Sequence, residues 1–111
     1  MKVIIAGSRD IDNYDLIVEA IQQSEFEITE VVSGTARGPD KLGEQWARDN
    51  FIPISRFPAD WNTHGKSAGY RRNAEMGQYA DALIAVWDGQ SRGTKHMIDI
   101  MKKLNKPYFV Y

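Results

Sequence analysis

Residues 82–87 (Ala-Leu-Ile-Ala-Val-Trp) carry no charged or amide side chain at any position. Successive side chains of a strand point to opposite faces, so a strand of this composition has to be covered on both sides. Strands of that kind lie in the middle of parallel sheets with helices on each face. Residues 2–6 (Lys-Val-Ile-Ile-Ala) read as a second buried strand, ended by Gly7. Tyr14, Ile17, Val18 and Ile21 follow at helical spacing, with Asp12 or Asn13 as the cap. Ser24 to Thr29 is the return loop, and Glu30 to Ser33 the next strand.

A helix opens at Pro39, whose missing N–H costs nothing in a first turn. Leu42, Trp46 and Ala47 share one face of it, and Asn50 ends it. Ile52 to Phe57 is the third strand, in which Pro53 marks an edge position or a late start. Residues 58–67 form the longest irregular stretch. Ala68 to Ala80 is the third helix. Thr94 to Leu104 is the fourth, with Met97, Ile98, Met101 and Leu104 inward and Asn105 as its C-cap. Pro107 to Val110 is the last strand. The β-α-β-α-β-α-β-α-β order with right-handed crossovers predicts one Rossmann-like three-layer α/β/α domain over residues 1–111. Its five-stranded parallel sheet takes the order 3-2-1-4-5. Ligands of such sheets bind at the carboxyl ends of the strands where the order reverses, here between strands 1 and 4.

Three polar turns lie at that end: Gly7-Ser8-Arg9, Gly34-Thr35-Ala36-Arg37-Gly38 and Ser91-Arg92-Gly93-Thr94. Each stands between a strand and a helix. Unpaired amides and the helix dipole there favour an anion. Gly34 and Gly38 permit a tight turn, and Arg37 is a planar donor suited to phosphate or carboxylate. Taken singly, each turn is also an ordinary strand-to-helix connection. Gly7-Ser8-Arg9 lacks the Gly-x-Gly-x-x-Gly pattern, and Ser33 stands where a ribose-holding acid would end strand 2, which disfavours an NAD-type site. Ser8 either bonds a phosphate or ribose oxygen or starts the helix turn.

Gly65-Lys66-Ser67 imitates the end of a P-loop, but Asp60 occupies the position of the first required glycine, so a P-loop ATPase is rejected. Lys66 either neutralises a ligand phosphate or is a surface lysine. Arg71, Arg72 and Asn73 fall in the first turns of a helix, where positive charge is locally unfavourable: either a bound anion compensates it or the arginine packs its stem on a neighbour. Arg72 and Asn73 form the candidate buried polar pair. Trp61, in the long loop, is a better stacking candidate than Trp87, although both also suit core or rim positions. Asp60 and Asp88 either hold a ribose hydroxyl or cap a loop. His64 and His96 have no metal-ligand spacing, and no serine triad is present.

The chain has no cysteine, which excludes disulfides and thiol chemistry and fits a cytoplasmic protein. No run is long enough for a membrane span. The net charge of -1 argues against a simple nucleic-acid binder. Residues 1–30 carry a net of -5 and residues 62–111 a net of +4. That asymmetry reads as solvated helix faces, a basic pocket rim or head-to-tail association.

Five segments in order resemble the SLOG superfamily, the group that includes the DprA/SMF and LOG proteins, and within it the YspA/cpYpsA-related branch. They are Gly7-Ser8-Arg9, Ser33-Gly34-x-Ala36-Arg37-Gly38-x-Asp40, Pro58-Ala59-Asp60-Trp61, Gly65-Lys66-x-Ala68-Gly69-x-x-Arg72-Asn73 and Ser91-Arg92-Gly93-Thr94. The resemblance implies a site for nucleotides or nucleotide-derived signals, and a homodimer or higher oligomer. LOG enzymes place a catalytic glutamate three residues after their glycine-threonine turn; here Met97 stands there and can neither accept a proton nor stabilise an oxocarbenium charge. The expectation is therefore a binding protein with no required cofactor and no assigned catalytic residue. Its ligand-binding residues are Gly7, Ser8, Arg9, Gly34, Ala36, Arg37, Gly38, Asp40, Trp61, Lys66, Arg72, Asn73, Asp88, Ser91, Gly93 and Thr94. Two alternatives stay open. One is a nucleotide hydrolase using Asp40, Asp60 or Asp88. The other is an interaction protein with a vestigial pocket, in which Met97 and Met101 face a partner subunit.

Overall fold

In the computed structural model, which describes residues 1–111, the apolar runs form the centre of one sheet. β1 (Lys2–Gly7) lies between β2 (Glu30–Ser33) and β4 (Ala82–Val86). β3 (Ile54–Arg56) and β5 (Tyr108–Val110) are the edges, and all four pairings are parallel, in the order β3-β2-β1-β4-β5.

Alternation along the strands divides the core in two. Val3, Ile5, Val31, Ala82, Ile84 and Val86 face α1 (Tyr14–Ser24) and α2 (Pro39–Asp49), where Ile17, Ala20, Ile21 and Ala47 complete the layer. Ile4, Val32, Leu83 and Ala85 face α4 (Ala68–Tyr79) and α5 (Arg92–Lys103), where they meet Met76, Met97, Ile98 and Met101. Every residue of β4 is buried, as a strand covered on both faces requires.

Met97 and Met101 are 1% and 0% exposed, packed on their own sheet. The idea that they meet a partner subunit is therefore wrong: the helical stripe that makes them a candidate interface is the stripe the sheet takes. Residues 58–67 are also more regular than their polar composition suggests. They contain a helical turn, α3 (Trp61–His64), followed by a 3-10 turn at Gly65–Ser67. Asp60 caps α3, its Oδ1 accepting from the Thr63 N–H at 3.1 Å. Asn13, rather than Asp12, caps α1. α5 begins at Arg92, two residues before the expected Thr94, because Ser91 acts as its N-cap. β3 begins only after Pro53 and β5 after Pro107, since neither proline can donate to a ladder. Asn105 takes a left-handed φ of 55° just past the end of α5. No helix is long and apolar enough to cross a membrane.

Candidate functional site

α1 and α2 leave the sheet on one side, and α4 and α5 cover the other. The two sets diverge where β1 and β4 lie side by side, and a cavity of about 480 Å³ opens there at the carboxyl ends of the strands. Gly7, Ser8 and Arg9 come to it from the end of β1. Ala36, Arg37 and Asp40 come from the start of α2, Asp88, Ser91, Gly93 and Thr94 from the segment between β4 and α5, and Arg72 and Asn73 from α4. Met76 and Met97 add apolar surface.

The turns are held against one another. The Ser8 N–H donates to the Val86 carbonyl at 3.0 Å, and the Ser8 Oγ accepts from the Asp88 N–H at 2.9 Å. Ser8 is thus a clasp between the exits of β1 and β4, and it is 1% exposed. Gly38 has φ +82° and ψ -135°, a conformation for glycine. A Cβ there would stand 3.0–3.1 Å from the carbonyl oxygens of Ser8, Arg9 and Ile11, so α2 starts directly against the loop after β1. Gly34 passes between Arg72 and Asp40: a Cβ would stand 2.6 Å from Arg72 Nη1 and 2.7 Å from Asp40 Oδ2.

A polar relay crosses the cavity. Arg72 Nη1 donates to the Gly34 carbonyl, and Arg72 Nε donates to Asn73 Oδ1 at 3.0 Å. Asn73 Nδ2 donates to the Gly93 carbonyl and to His96 Nδ1, each at 3.2 Å. An amide nitrogen only donates, so His96 Nδ1 accepts and its proton sits on Nε2. Arg72 and Asn73 therefore tie the turn after β2 to the first turn of α5. Arg72 Nη2 has no hydrogen bond to the protein. The N–H groups of Arg9, Arg37 and Gly93 also donate to no protein atom.

Asp40 is 5% exposed, and burial pushes its carboxyl up to about 6 despite the Ala36 N–H and the Arg72 charge, which pull it down. Only Oδ2 is hydrogen-bonded, to the Ala36 N–H at 3.1 Å. Burial also lowers the Arg72 guanidinium from its usual range, without removing its charge. Asp88 behaves oppositely to Asp40. Its Oδ1 accepts from the N–H groups of Gln90 and Ser91 at 2.8 and 2.9 Å, and these bonds hold its carboxyl below the usual range. Asp88 thus caps its loop, as Asp60 caps α3. Arg37 stands 3.9 Å from Asp10, with both side chains largely exposed, so its charge remains available.

The remaining candidates separate. Gly34 and Trp61 line a second cavity, beside the first. Gly38 lines neither; its part is to hold the turn. Lys66 is exposed in the 3-10 turn and lines neither cavity, and Arg71 turns its Nε back to Ser67 Oγ at 3.1 Å. Thr94 is 5% exposed, with Oγ1 3.0 Å from Ser91 Oγ.

Sequence reasoning missed Glu44, which is 2% exposed behind the site. Ser33 Oγ donates to its Oε2 at 2.6 Å and Arg56 Nε to its Oε1 at 3.0 Å. Burial would raise this carboxyl, and those two donors reverse the effect and hold it low. Ser33 Oγ accepts from the Thr35 N–H at 3.1 Å, so Glu44 braces the turn that carries Arg37. The signal was present in the sequence as a glutamate one position removed from Gly43 on the sheet-facing side of α2, with a serine ending the facing strand.

A profile of the YspA, cpYpsA-related SLOG family matches residues 1–64. The Gene 61 protein of Mycobacterium phage D29 is 34% identical over 116 residues, an alignment covering 96% of this chain and 92% of that protein. The chain belongs to the YspA, cpYpsA-related SLOG family. Among solved structures, DNA processing protein A (DprA) from Streptococcus pneumoniae superposes with a TM-score of 0.78 at 17% identity. That match covers 98% of this chain and 49% of the DprA chain, so this SLOG protein spans about half the length of the structure it resembles. At that identity the likeness is one of fold. The family match takes in β1 to α3 and thus the turns carrying Arg9 and Arg37; Arg72, Asn73, Gly93 and Thr94 lie beyond it.

Proposed function

We propose that this protein binds a nucleotide or nucleotide-derived small molecule in the crevice at the carboxyl edge of the sheet, as a sensor, carrier or sequestering protein. One observation carries the reading. Three arginines, Arg9, Arg37 and Arg72, line the crevice together with the unpaired N–H groups of Arg9, Arg37 and Gly93 at the switch point of a parallel sheet. Phosphate meets the arginines and amides there. Asp40, Asn73 and Thr94 are the groups within the same crevice that suit sugar hydroxyls.

The test is native mass spectrometry of the protein as purified, then denaturation and identification of what is released. A co-purified nucleotide supports the reading, with affinity in the micromolar range or better, about -8 kcal/mol. If no nucleotide co-purifies, none in a broad panel raises the melting temperature, and Arg37→Ala behaves like the parent, the reading is refuted.

Asp40 favours a second reading. A buried carboxyl poised at about 6, with Oδ1 free of protein partners, suits general acid–base work on a bound nucleotide. Slow turnover of a nucleoside monophosphate, lost in Asp40→Asn with binding retained, supports a hydrolase. A nucleotide panel left intact on long incubation removes it.

A further inference from the structure

The second cavity, about 510 Å³, opens next to the first and shares Arg9, Ala36, Arg37 and Arg72 with it as a common wall. Trp61, which is 53% exposed, also lines it. Asp60 caps the turn that begins at Trp61, and the ring tip Cη2 rests on the start of α4, 3.5 Å from where a Cβ of Gly69 would stand. A large aromatic surface, half open to solvent, thus lines the same cavity as three arginines.

From this juxtaposition we infer that the second cavity is a nucleobase subsite, in which the base stacks on Trp61 while its phosphate lies against the shared arginine wall. The inference rests on the reading of the first crevice as a nucleotide site and gives the ligand a direction. The base points toward α3, and whatever the phosphate carries points toward Asn73 and Gly93. A π-face paired with cations at short range suits a planar base joined to an anion, and suits an aliphatic ligand poorly. Sequence-tolerant single-strand binding uses a row of aromatic platforms along a basic track. Here there is one platform, and Asp10, Asp40 and Asp88 stand among the three arginines.

The experiment is calorimetric titration of the whole protein with ribose 5-phosphate and with each of the four ribonucleoside 5′-monophosphates. The expected result is that at least one nucleotide binds roughly tenfold or more tightly than ribose 5-phosphate, as one base–aromatic stack provides. Trp61→Ala abolishes that advantage and leaves ribose 5-phosphate binding unchanged, while Trp61→Phe restores most of it. Arg37→Ala weakens nucleotide and sugar phosphate alike. Phe51→Ser, a change at a 95% exposed aromatic lining neither cavity, alters nothing. If Trp61→Ala binds nucleotides as the parent does, the base subsite is refuted and the crevice reading stands. If it weakens ribose 5-phosphate equally, Trp61 only supports the fold of the site, and the inference is overturned. If the parent binds none of these probes, the base subsite is refuted, and the crevice reading is decided separately by the mass spectrometry and the melting panel above. Binding of a thymidine oligonucleotide in preference to every mononucleotide overturns the inference in favour of a nucleic-acid strand.

Discussion

Replacing Asp40 by asparagine should free the fold from a cost that it bears at neutral pH. The carboxyl titrates at about 6 in the folded protein against an ordinary 3.8, because 5% exposure leaves the charge poorly solvated. Each pH unit between these values corresponds to about 1.4 kcal/mol, so the ionised form costs the fold about 3 kcal/mol. That figure already includes the attraction of Arg72 and Arg9. Below about pH 4 both folded and unfolded chains hold the proton, and there is no cost. Between about pH 4 and pH 6 the unfolded chain has lost the proton and the folded one keeps it, so stability falls as pH rises; above that range the whole cost is present. The amide introduced by Asp40→Asn would keep an oxygen for the Ala36 N–H and would not titrate. The stability of Asp40→Asn relative to the parent should therefore rise by about 3 kcal/mol between about pH 4 and pH 7, or roughly 13 °C in melting temperature. Urea unfolding of both proteins across that range measures it, and the difference between the two curves cancels every other titrating group. A constant difference would refute the reasoning, because it would mean that the carboxylate is solvated in the folded protein.

Gly38→Ala should destabilise the fold by about 1–3 kcal/mol, since the left-handed φ is strained for alanine and the Cβ presses on three carbonyl oxygens; urea unfolding checks it. Gly93→Ala should act in two directions. The position is helical with nothing within 4 Å of a Cβ, so unfolding experiments should show a gain of about 0.5 kcal/mol, whereas calorimetry should show weaker binding because the methyl stands at the cavity wall. Lys106→Met should cost about 1–3 kcal/mol in the same unfolding assay. It removes the ammonium that donates to the carbonyls of Gly77, Gln78 and Ala80 at the end of α4, at 2.8, 3.0 and 2.8 Å.

The sheet was legible because β1 and β4 are apolar at successive positions, which only burial on two faces explains. Once those strands are central, the switch point follows, and with it the meeting of the turns at Ser8, Arg37 and Ser91. α3 was missed because four residues have no periodicity, and its one signal, the capping pair Asp60 and Thr63, reads equally as loop. The environment of Asp40 was hidden for a different reason. An acid in a first helical turn is ordinary when exposed. Its burial comes from the β1–α1 loop closing on Gly38 and from Arg72 reaching the Gly34 carbonyl, contacts between residues far apart in the chain. Gly65-Lys66-Ser67 shows the converse. A phosphate-binding word counts only where a strand delivers it, and here a 3-10 turn holds the lysine away from both cavities.

The central position of β1 also sets an order of events during synthesis. β1 pairs with β2 through residues about 30 positions away, but its other edge waits for β4, whose partners Val3↔Ala82 to Gly7↔Val86 are separated by most of the chain. Until residue 86 has left the ribosome, an apolar strand edge stands open, and the Ser8–Asp88 clasp cannot close. Closing so long a loop is a late and slow step, so the crevice is completed only after most of the polypeptide has been made. In pulse-labelled hydrogen exchange, the amides at the ends of β1 and β4 should gain protection together and after those of α1.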